Sequence, residues 1–83
     1  MVNVVFTSHA IQQLKERKIS KVFVLVSIKR ADVVRRQSDG RFQYIKLFKE
    51  KQKTFLLVVI VEKSLRELSV VTVFKTSKIK KYI

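Results

Sequence analysis

Apolar residues along this chain follow two different rhythms, and the change between them divides it. From Ser8 to Lys18, Ala10, Ile11 and Leu14 recur at helical spacing with Gln12, Gln13, Lys15, Glu16 and Arg17 around them, which predicts an amphipathic helix. Thr7 and Ser8 are hydroxyl residues able to accept from the free N–H groups of a helix start. From Arg41 to Phe48 the period is two: Phe42, Tyr44, Lys46 and Phe48 share one side, and Arg41, Gln43, Ile45 and Leu47 the other. Thr54 to Glu62 is apolar on both sides, the pattern of a central strand covered on each face.

Between these blocks the elements are delimited by caps and turns. Met1 to Phe6 is apolar and β-branched and forms a short extended lead-in. Ile19-Ser20 breaks the first helix, with Ser20 placed to cap the next element. The run Val22, Phe23, Val24, Leu25, Val26, Ile28 has strand composition, whereas a helix would align Val22, Leu25, Val26 and Lys29 on one side; the Ser20 cap favours the helix. Asp32 to Arg36 forms a short strand. Ser38-Asp39-Gly40 holds the only glycine and signals a hairpin, because glycine takes positive φ without steric cost. Lys49 to Lys53 and Lys63 to Arg66 are polar turns, and Glu67 to Phe74 is the last strand. The expected fold is α+β: two N-terminal helices packed on one face of a four-stranded antiparallel meander.

Composition narrows the chemistry. At 83 residues and 47% hydrophobic content, the chain supports one domain, residues 1–83, with one core. It has no cysteine, one histidine and six acidic residues, which leaves no recognisable metal-ligand pattern and points to no cofactor. Nineteen Lys and Arg give a net charge of +13. A lysine-rich surface for solubility is the plain alternative, but a pI near 10.6 is lopsided enough to favour a polyanion partner: nucleic acid first, an acidic protein next, an anionic membrane surface third. MVNVVF lacks the basic start and long apolar centre of a signal peptide. Phe55 to Val61 is too short to cross a bilayer. The expectation is a soluble cytoplasmic protein with no membrane association, a monomer or weak dimer.

HAIQQLKERKIS resembles the opening motif His-Ala-x-x-Arg-Met-x-x-Arg-Gly-Ile-Ser of a small domain-of-unknown-function family. That family is placed by fold resemblance near the RelE/ParE-type toxins and the barnase/EndoU/colicin/RelE-like ribonucleases. His9, Ala10, Arg17, Ile19 and Ser20 match; Gln13, Leu14 and Lys18 replace the motif's arginine, methionine and glycine. Asp32-Val33, GRFQYIKLF, FLLVVIVEK and LSVVTVFKTSKIKKY continue the likeness through Thr72, Phe74, Lys75, Lys81 and Tyr82. The resemblance implies a RelE-like sheet, helices on one side and a concave basic face on the other, and it decides residues 21–30 for a helix. It further implies a toxin, a metal-independent endoribonuclease acting on RNA or at the ribosome, silenced by an acidic antitoxin.

Metal-independent RNA cleavage needs a proton acceptor and donor and cations on the phosphorane. On that hypothesis His9 or Tyr82 moves protons while Arg17, Lys46 and Lys75 stabilise phosphate charge. His9 is the natural acid–base residue by type, although a helix-end histidine more often only packs or hydrogen-bonds. Arg17 has an equally ordinary alternative as a ligand of helix-end carbonyls. Arg41, Tyr44 and Thr72, with tail residues Lys78, Lys80 and Lys81, are the expected nucleic-acid contacts. Basic and aromatic residues interleaved on a strand can bind phosphates and stack bases, but Phe42 and Phe48 are more naturally core residues. The basic tail, residues 75–83, would supply affinity rather than specificity. Two other readings stand beside the toxin: a non-catalytic nucleic-acid-binding module, and a basic interaction protein bound by an acidic partner.

Overall fold

A computed structural model describes residues 3–83 of the chain. The elements in order are β1 (Asn3–Phe6), α1 (Ser8–Glu16), α2 (Lys21–Lys29), β2 (Val33–Arg36), β3 (Phe42–Glu50), β4 (Lys53–Lys63), β5 (Glu67–Thr76) and α3 (Ile79–Tyr82).

Local chemistry accounts for both long helices. Thr7 Oγ1 accepts the Ala10 N–H at 3.1 Å and so caps α1, satisfying a donor that the helix itself leaves free. At the other end Ile19 N–H donates to Leu14 O at 2.9 Å and Lys18 N–H to Lys15 O at 3.4 Å. Lys18 stands at φ 53°. This is a Schellman closure, in which the left-handed position normally takes glycine, and Lys18 is where the resembling motif has its glycine. Ser20 Oγ accepts Val22 N–H at 3.2 Å and starts α2. The β-branched run that follows is helical because Val24 and Ile28 reach the core from one side, so packing overrides strand propensity. Ser27, fully buried, donates its hydroxyl to Phe23 O at 2.8 Å.

The sheet corrects the sequence expectation. It has five strands in the order β1-β5-β4-β3-β2, not four in an antiparallel meander, and it is mixed. β1 runs parallel to β5, with Asn3 to Phe6 opposite Glu67 to Val70, while the neighbours from β2 to β5 pair antiparallel. The lead-in expected over Met1 to Phe6 is therefore an edge strand from Asn3; Met1 and Val2 lie outside the described residues. The tail adds a third short helix, α3. Parallel pairing between the first and last strands has no local turn to announce it, which is why chain-order reading misses it.

Two tight turns set the register. Gln37 N–H donates to Arg41 O at 2.7 Å, Arg41 N–H to Asp39 Oδ1 at 3.0 Å, and Gly40 takes φ 90°. Between β3 and β4, Glu50 pairs with Lys53 around Lys51 and Gln52, and Lys51 has φ 56°. This turn is shorter than the five-residue polar turn expected over Lys49 to Lys53. In β5 the register shifts, with Val61 opposite Val70 and Ile60 opposite Thr72, leaving Val71 as the extra residue of a β-bulge.

Both faces of the sheet are apolar. Leu57, Val59, Val61, Val70, Val73 and Tyr44 form the core beneath α1 and α2. On the opposite face Ile45, Leu56, Val58 and Ile60 pack with Val33, Leu47, Phe74, Ile79 and Tyr82. The concave basic face that the family resemblance implies is therefore not found opposite the helices: an apolar cluster, partly covered by α3, occupies that side.

Candidate nucleic-acid interface

The cations gather instead where the helix-bearing face runs out toward the β3–β4 turn. Arg17, the C-cap of α1, donates from Nη1 to the Val73 carbonyl at 2.6 Å. Two residues further along β5, Lys75 points to the same face as Val73, as strand alternation requires. Leu57 lies between Lys46 on β3 and Lys75 on β5 in the register, which sets the two lysine backbones about 10 Å apart. The structure thus brings Arg17, Lys46 and Lys75 to one face.

Their environments differ. Lys46 Nζ lies 3.6 Å from Asp32 Oδ1, and Asp32 Oδ2 also accepts the Leu47 N–H at 2.8 Å. Lys46 is therefore partly neutralised and ties the entry of β2 to β3. Arg17 and Lys75 are exposed. Among the described residues the ion pairs are Lys46–Asp32 and Arg41–Glu62, so neither Arg17 nor Lys75 has a carboxylate partner among them.

Aromatic residues adjoin these cations. Lys75 Nζ sits 4.8 Å from the centre of the Phe55 ring, within cation–π range. Phe55 stacks on its cross-strand partner Phe48 at 5.7 Å and 19°, and Phe48 meets Phe23 of α2 edge-on at 5.1 Å. Phe23 is 40% exposed. Phe23 and Phe55 are absent from the sequence-predicted site, where only strand β3 was read as basic and aromatic. The signal was present: a two-residue turn at Lys51-Gln52 pairs Phe48 with Phe55 and Lys46 with Leu57.

The remaining candidates are dispersed. His9 is exposed in the first turn of α1, eight residues and about 12 Å along the helix from Arg17. Buried Gln13 lies between them. Tyr82 sits on the opposite side of the sheet, its ring 6.0 Å from Phe74. Thr72, opposite Ile60, belongs to that side too. Tyr44 is 8% exposed in the helix-side core, so its ring is occupied by packing. Arg41 lies 3.8 Å from Glu62. Lys78, Lys80 and Lys81 are exposed on and beside α3, following directly from the end of β5 that carries Lys75. Among the described residues no group of three or more His, Cys, Asp or Glu is placed to hold a metal. No helix among them is long and apolar enough to cross a membrane.

Fold and surface together define a small domain built on a five-stranded mixed sheet, with an aromatic strip flanked by Arg17 and Lys75, which make no ion pair among the described residues. The sequence model of the family described as "Domain of unknown function (DUF4258)" matches residues 6–75, and the chain belongs to that family. No curated protein and no solved structure matches it.

Proposed function

We propose that this domain binds single-stranded RNA at the basic-aromatic end of its helix-bearing face. The observation that carries the reading is the continuous contact from Lys75 through Phe55 and Phe48 to Phe23, beside an exposed Arg17. Stacking on partly exposed aromatic rings accepts any base, while neighbouring cations hold the backbone phosphates. Lys78, Lys80 and Lys81 extend the positive field past the end of β5 and raise affinity without reading sequence. A net charge of +13 adds long-range attraction.

The RelE/ParE-like toxin reading, with metal-independent cleavage of RNA or action at the ribosome, draws on the same cations. It also requires proton transfer at the phosphate they hold. His9 is a long reach from Arg17 and Tyr82 is across the sheet, so the arrangement supports binding further than cleavage.

The test is titration of labelled single-stranded RNA with the purified chain at several salt concentrations in EDTA, read by mobility shift and by product on a denaturing gel. Salt-sensitive binding of intact RNA that Phe55→Ala and Lys75→Ala weaken is the expected result. Cleavage abolished by His9→Ala would restore the ribonuclease reading. Absence of binding would remove RNA as the ligand.

A further inference from the structure

We infer that the outer face of α2 is a docking site for an acidic amphipathic helix of a partner protein. Between its terminal lysines α2 carries apolar residues on every side, with Ser27 the one polar exception, and helices of that kind are normally covered on both sides. Here one side is covered: Val24 and Ser27 are buried beneath it. On the other side Val22 is 65% and Leu25 38% exposed, and Val26 is half-buried. Val22, Leu25, Val26 and Lys29 have the i, i+3, i+4, i+7 spacing by which one helix offers a seam to another. Phe23 points elsewhere, to Phe48, so this seam is separate from the RNA surface and the inference does not rest on the RNA reading.

Charge selects the occupant. From Lys18 to Ala31 the chain carries Lys18, Lys21, Lys29 and Arg30 and no acid, and all four cations are exposed. A second copy packed through the same stripe would oppose lysine to lysine at both ends of the helix, and like charges there repel. A partner helix with a Leu or Val stripe flanked by Glu or Asp buries Val22, Leu25 and Val26 and pairs its carboxylates with Lys21 and Lys29.

The experiment uses the full chain and a designed helical peptide with a leucine stripe and glutamate flanks. A peptide of the same composition with the stripe scrambled is the control. The expected result is binding of the ordered peptide about tenfold or more tighter than the scrambled one. Val22→Ser with Leu25→Ser should remove that preference while the circular dichroism and the RNA shift stay unchanged. Lys21→Glu with Lys29→Glu should lose the acidic peptide and gain a lysine-flanked version of it. Equal binding of ordered and scrambled peptides would overturn the inference, leaving charge alone. Self-association in sedimentation abolished by the serine variant would assign the face to a second copy. Adsorption to phosphatidylserine vesicles abolished by that variant would assign it to a membrane surface; either result overturns the protein-helix reading.

Discussion

The side-chain carbonyl of Gln13 accepts the backbone N–H of Val73 at 2.9 Å in the interior, and one helical turn later Arg17 donates to the Val73 carbonyl. β1 pairs with β5 only as far as Val70. Beyond that point β5 has an open edge, and α1 lies against it with two side chains that reproduce what a neighbouring strand would offer. Thr7 makes the transition, donating both its N–H and its hydroxyl to the Val70 carbonyl at 3.1 Å. Thr7, Gln13 and Arg17 therefore form one hydrogen-bonding seam between the first helix and the last strand, in which an amide and a guanidinium stand in for backbone.

Gln13→Leu keeps the bulk and removes the acceptor, leaving the Val73 N–H buried and unpaired. The expected cost is about 1–3 kcal/mol, read as a lower urea midpoint with an unchanged slope. Unaltered stability would mean that α1 or a water supplies another acceptor.

Lys18→Gly should stabilise the fold by about 1 kcal/mol, since Lys18 stands at φ 53° and a side chain in the left-handed region is disfavoured by about that much. Its side chain is exposed and makes no ion pair among the described residues, so little is lost with it. Thermal or urea unfolding of the two proteins decides it, and a destabilised glycine variant would assign the ammonium an unrecognised contact.

Lys75→Ala should weaken RNA binding uniformly across sequences and lower the salt slope by roughly one, the signature of one lost phosphate contact, with the urea midpoint little changed. Arg17→Ala should lower both RNA affinity and stability, because its guanidinium also caps β5. Arg17→Lys is expected to recover more of the RNA affinity than of the stability, since an ammonium restores charge without the guanidinium's planar donors. If neither substitution changes binding, the RNA lies elsewhere.

Leu57→Ala removes a side chain that is 1% exposed beneath the helices and between Lys46 and Lys75. A loss of about 2–5 kcal/mol is expected, with guanidinium denaturation as the measure. A smaller loss would mean that the core relaxes into the space.

The sequence determined the elements whose causes are local. Ser20 capped α2, Asp39-Gly40 turned β2 into β3, and the unbroken apolar run of β4 marked the centre of the sheet, because caps, turns and residue periodicity act over a few positions. Arg17, Lys46 and Lys75 came together at the sequence level only through the phosphate chemistry that the family resemblance implies; the side of the sheet each occupies is set by the strand register and by the Arg17 contact to Val73. The tertiary structure alone decided that Asn3–Phe6 is a fifth strand parallel to β5, that α3 lies on the far sheet face, and that Tyr82 is separated from His9. It also brought Phe23 and Phe55 to Lys75 and buried Tyr44. Each of these depends on contacts between segments far apart in the chain, where no local periodicity records the partner and only the burial of two apolar sheet faces selects the arrangement.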